Sequence, residues 1–172
     1  MTARLWTRNG FVDDGWRHAS PGEAIADGTI VALADWLALD PVARPHLGVR
    51  VKPGEAIEPL LAHLDDIALI ALEFPAFSDG RSYSRAERLR GRLGYTGILR
   101  AVGDVLTDQI PHMLRTGFDE LEVSNPVALS RLAKGMTGAP EAAYQPSTGG
   151  GGKAAGYAWR RASSEQRAAS NE

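Results

Sequence analysis

Apolar residues along this chain change spacing in a regular way, and the spacing predicts most of its elements. Leu5-Trp6-Thr7 and Phe11-Val12 flank Arg8-Asn9-Gly10, and Asn-Gly between short apolar runs is a strong hairpin signal. Trp16 is placed as an extension of the second arm, and Ser20-Pro21-Gly22 reads as a turn. Leu33, Trp36 and Leu37, with Ile30 before them, fall at helical spacing up to Leu39, with a strand at the start of the run left open. Asp40-Pro41 ends it, because the residue before a proline is biased out of the helical region.

From Gly48 onwards the pattern repeats. Gly48-Val49-Arg50-Val51 predicts a strand. Ile57, Leu60, Leu61 and Leu64 then give one apolar helical face, with Pro59 in the first turn. Ile67 to Leu72 is continuously apolar, as in a strand covered on both faces. A helix is expected from Ser82 or Ser84, with Ser84 as its cap, to Gly94. It is followed by a strand over Ile98 to Val102, a helix from Thr107 to Arg115 capped by Asp104 or Thr107, a strand over Glu120 to Val123 and a helix from Val127 to Lys134. About four strand–helix units in succession predict an α/β fold on a parallel sheet, half-barrel-like or open, preceded by an N-terminal β-hairpin. The edges of such a sheet need a cover, which the hairpin or a second copy in a homodimer would supply.

One α/β domain is expected over residues 1–136. Residues 137–172, with Ser147-Thr148 followed by four glycines, read as a Gly-rich, disordered tail. Composition narrows the chemistry. The chain of 172 residues has no cysteine, which excludes disulfides, thiolate metal sites and cysteine-held iron–sulfur clusters within it. Its formal charge is −2, so no global positive field recruits nucleic acid or an anionic membrane. The longest apolar run is six residues, Ile67 to Leu72, against the ~20 that span a bilayer, and no apolar signal-peptide core opens the chain. Cytoplasmic residence is the expectation.

In parallel α/β sheets the loops after the strands converge on the carboxyl rim, where sites form. That rule nominates Asp79, Arg81, Tyr83, Asp104, Asp108 and Gln109 as one rim. Ser84 lacks a Gly-x-Ser-x-Gly elbow or a suitably spaced histidine. Arg81, Arg85, Arg88 and Arg92 stand at i, i+4, i+7 and i+11, a basic stripe on an ideal helix, with Arg100 on the neighbouring strand. Such a stripe binds an anion or an acidic protein face, or is merely solvated. His18, His46, His63 and His112 are scattered without metal-ligand spacing and read as ordinary surface or packing histidines. No metal site, nucleotide loop or cofactor motif is evident.

The run Phe74 to Ser84, then Gly94-Tyr95-Thr96-Gly97, Arg100 to Val105, Asp108-Gln109 and Gly117-Phe118-Asp119 resembles the DUF934 family of bacterial proteins over roughly residues 30 to 135. Members of that family carry the label of oxidoreductases involved in sulfite reduction and are encoded beside sulfur-assimilation genes. The resemblance therefore implies a role in assimilatory sulfite reduction, as an accessory protein or oxidoreductase component acting with a sulfite reductase or another sulfur-assimilation protein. It transfers motif positions but no catalytic roles. Thr116 stands where members often carry cysteine, which argues against family-wide thiol chemistry. Two alternatives stay open: a small enzyme binding a phosphorylated or flavin-type ligand at the rim, and a non-catalytic interaction module.

Overall fold

A computed structural model describes residues 3–20, 24–44, 46–76 and 78–137. The chain enters through a hairpin, β1 (Arg4–Thr7) and β2 (Gly10–Val12), and a short strand β3 (Arg17–His18). Five strand–helix units follow. They are β4 (Thr29–Ala32) with α1 (Leu33–Ala38), β5 (Gly48–Val51) with a 3-10 segment (Glu58–His63), β6 (Leu69–Phe74) with α2 (Arg81–Glu87), β7 (Ile98–Gly103) with α3 (Ile110–Thr116), and β8 (Glu120–Val123) with α4 (Pro126–Ala133). All eight strands form one sheet in the order β2-β1-β8-β7-β6-β5-β4-β3. Strands β3 to β8 pair in parallel, whereas β1 pairs antiparallel with both β8 and β2.

Strands added always to the same side, each through a right-handed crossover, leave every helix on one face. The core shows this. Leu33 and Trp36 of α1, Leu60, Ala86, Ile110, Met113, Ala128 and Leu132 join Val49, Val51, Ile70, Leu72, Leu99, Ala101 and Leu121 in one apolar cluster. The opposite face holds a second, smaller cluster of Ile30, Leu69, Ala71 and Val102, with Trp16 and Ile98 packed on it. This second face is concave. Between β3 and β8 lie five strand steps, roughly 24 Å in a flat sheet at ~4.8 Å per step. Yet His18 of β3 and Glu122 of β8 meet at 2.7 Å. Only a sheet curled into an open half-barrel brings those two side chains together.

Several details differ from the sequence pattern. The strand before α1 is real and adds a fifth unit, and the hairpin makes the sheet mixed rather than purely parallel. Trp16 does not extend β2; it packs on the concave apolar cluster. The face Ile57–Leu64 is carried by a 3-10 segment, because Pro59 and the short span leave no room for a regular helix. Neither Ser84, Asp104 nor Thr107 caps a helix. Helix α2 begins after Gly80, α3 is entered through a 3-10 turn (Thr107–Gln109), and among the described α-helices the capping side chain is Asn125, accepting from Val127 and Ala128 at the start of α4. The segment 21–23, Phe77 and the chain from 138 lie outside the described residues, so the expected turn there and most of the expected tail have no structural counterpart. Among the described residues no helix is long and apolar enough to cross a membrane.

Candidate functional site

At the carboxyl ends of β6 and β7 the chain makes a tight join. The Asp104 N–H donates to the Phe74 carbonyl at 2.8 Å. Gly103 has φ +95°, and a Cβ there would stand 2.4 Å from the same carbonyl oxygen, so only glycine lets the two strand ends close. The Phe74 ring is fully buried, with its centroid 5.0 Å from that of Tyr83 and 5.7 Å from that of Phe118. Tyr83 is half-buried between Phe74 and His112, whose ring centroid lies 4.2 Å away.

These neighbours set the protonation of the rim. Burial, and secondarily the Asp108 carboxylate, push the Tyr83 hydroxyl up to about 12. Burial, and then the Arg115 cation, push His112 below the usual imidazole value. Asp79 is held down at about 2 by hydrogen bonds from Arg81, which contacts it at 2.6 Å. Near neutral pH the rim thus offers a neutral phenol, a neutral imidazole and the exposed carboxylate of Asp108. That set stacks and hydrogen-bonds; it holds no activated nucleophile. Gln109 folds back on its own turn, its Oε1 accepting from the Leu106 N–H at 3.4 Å.

The arginines divide among different tasks. Arg85 reaches back from α2 to the carbonyls of Lys52, Pro53 and Glu55 after β5, with 2.7 Å to the first. Arg88 pairs with Glu58 at 2.6 Å. The helix widens to a π-helical turn over Arg88–Arg92, which breaks the ideal i, i+4, i+7, i+11 alignment at its last member. Arg100 does not join that stripe at all. It is completely buried on the concave face, donating to Asp14 at 2.8 and 2.9 Å and to Glu120 at 2.9 and 2.7 Å. Burial alone would lower its pKa, but the two carboxylates outweigh burial and raise it.

Arg100 belongs to a charged layer that strand periodicity could have revealed. Arg50, Arg100 and Glu120 lie side by side in register on β5, β7 and β8, with Ala71 of β6 between the two arginines. Arg50 and Arg100 are each flanked by apolar residues, and Leu121 follows Glu120, so the apolar ones face the helices and the charges face the concave side. Arg50 donates to Glu73 at 2.8 Å and His18 meets Glu122 at 2.7 Å. The His18 Nδ1 is buried without a partner, which suits the tautomer that donates from Nε2. A cavity of about 600 Å³ opens beside this layer at the carboxyl ends of β3, β4 and β5, next to His18, Asp35, Arg50 and Lys52. None of Asp79, Tyr83, Asp104, Asp108 or His112 of the β6–β7 rim lines it. Among the described residues no group of three or more His, Asp or Glu is placed to hold a metal ion.

Residues 48–152 match the model of a family described as bacterial protein of unknown function, DUF934. The chain belongs to that family. A search of curated proteins returned no match. The DUF934 span starts at β5, later than the start near residue 30 expected from the resemblance, and runs to 152, past the expected end near 135; it includes Tyr83, Asp104, Asp108 and His112, and β1 to β4 precede it.

Proposed function

We propose that this DUF934 protein serves assimilatory sulfite reduction as an accessory component working with a sulfite reductase, and that the β6–β7 rim is the face it works through. The observation carrying this reading is the convergence of the motif run. Phe74, Tyr83 and Phe118, from separate stretches of the run by which the chain resembles proteins of that pathway, meet around the Phe74 ring, and Tyr83 carries the cluster outward to His112 at the rim. Six-electron reduction of sulfite calls for metal cofactors and electron relays, and a chain without cysteine cannot hold the cysteine-ligated cluster of that chemistry. An accessory role is therefore the simpler one. A strain lacking the gene is expected to grow on sulfide or cysteine but not on sulfate or sulfite, and the tagged protein to co-purify with sulfite reductase. Reversing the exposed charges, Arg81→Glu with Asp108→Arg, is expected to abolish co-purification with the fold intact. Normal growth on all four sulfur sources would sink the proposal.

A second reading, a small enzyme taking a phosphorylated or flavin-type ligand at the rim, is favoured by the half-exposed Tyr83–His112 aromatic pair, whose rings, inclined by 44°, offer one face or edge to a planar ligand. Purified protein that is coloured or fluorescent would favour it.

A further inference from the structure

The cavity beside the concave layer has a composition its position in the fold does not require. Its wall combines two basic side chains, Arg50 and Lys52, with the apolar side chains Ile25, Ile30 and Leu39 and one acidic side chain, Asp35. Arg50 spends its Nε on Glu73. Its two terminal nitrogens make no hydrogen bond among the described residues, and its side chain remains 38% exposed. Glu73 thereby fixes the guanidinium in place while leaving the edge of its fork open. Lys52 stands at the end of β5; its backbone is held by Glu55 through the N–H and by Arg85 through the carbonyl, while its ammonium has no partner among the described residues. One positioned guanidinium edge and one exposed, movable ammonium of the same charge, beside an unfilled volume of about 600 Å³, form a receptor for an oxyanion. The apolar wall requires more than an inorganic ion, and the volume falls in the range of small-molecule sites. Asp35 opposes a ligand of high negative charge and selects for a single anionic head.

We infer that this cavity binds a small organic oxyanion: one carboxylate, sulfonate or phosphate monoester head held by Arg50 and Lys52, and an apolar body against Ile25, Ile30 and Leu39. The inference is independent of the pathway proposed above and of the β6–β7 rim. It is tested with 8-anilinonaphthalene-1-sulfonate, an aromatic sulfonate whose fluorescence reports binding, against the uncharged N-phenyl-1-naphthylamine. The full chain is expected to bind the sulfonate saturably and in preference to the neutral dye. Lys52→Met, at an exposed position that does not threaten the fold, is expected to weaken sulfonate binding about tenfold, the scale of a lost charge-assisted hydrogen bond, and to leave the neutral dye unaffected. Arg50→Lys, which keeps a cation beside Glu73, is expected to weaken it similarly, and Asp35→Asn to strengthen it. No saturable sulfonate binding, equal binding of both dyes, or an affinity indifferent to Lys52→Met and Arg50→Lys would each overturn the inference.

Discussion

At His112 the environment and the charge state can be tied to a measurable pH dependence. Its ring packs against Tyr83, and burial followed by the neighbouring Arg115 lowers its pKa in the folded protein. The unfolded chain then takes up the proton at a higher pH than the folded one. Stability from this residue is therefore fully present above the unfolded histidine value of about 6.5 and declines as pH falls through it toward the folded value. Comparing urea midpoints at about pH 7.5 and about pH 5, His112→Gln is expected to show a shallower acid loss than the parent. An unchanged pH profile would mean that the imidazole is not held neutral against Tyr83. The ring was passed over in the sequence because a lone histidine on a helix carries no spacing signal. Its importance comes from Tyr83 on α2, itself packed on Phe74 of β6, which only the fold brings beside it.

At the scale of elements, the arginines of α2 differ by what they hold. Arg85 ties the helix to three consecutive-loop carbonyls after β5, whereas Arg88 shares an exposed pair with Glu58. Arg85→Met keeps the aliphatic stem but strands those carbonyls, and a loss of about 2–4 kcal/mol is expected in denaturant melts. Arg88→Met is expected to cost less than ~1 kcal/mol, as solvent-exposed pairs do. Equal effects would contradict this division. Gly103→Ala is expected to destabilise by at least about 2 kcal/mol, since it adds left-handed strain of ~1–2 kcal/mol to a collision with the Phe74 carbonyl. Strands β6 and β7 were legible because both of their faces are covered, giving near-continuous apolar runs. Strand β3 was not, because two residues carry no period. The 3-10 segment was misread as a regular helix because apolar spacing alone does not distinguish the two over six residues.

Across the whole molecule the sheet grows in chain order from β4 to β8, and this order leaves a trough on the face away from the helices. The N-terminal segment is what crosses that trough. The chain passes from β2 at one edge of the sheet to β3 at the other, and on the way it lays Asp14 on Arg100 and Trp16 on the apolar floor. His18 then completes the crossing to Glu122. The charges alternating along β5 to β8 were visible in the sequence; their shared face was not, because the partner carboxylate Asp14 lies 86 positions from Arg100 and nothing local couples them. Arg100→Met would leave Asp14 and Glu120 facing each other at the rim of the trough without their cation, at an expected cost of about 3–5 kcal/mol, as for other broken buried pairs. Asp14→Asn is the sharper probe, because it loosens the crossing while Arg100 keeps Glu120. In hydrogen exchange it is expected to raise rates at Trp16 to Ala19, whose backbone is tied to β4 through Gly28 and Ile30, with β5, β6 and β7 unchanged. Faster exchange across all strands alike would show that the crossing is not a separable strap but part of one cooperative core.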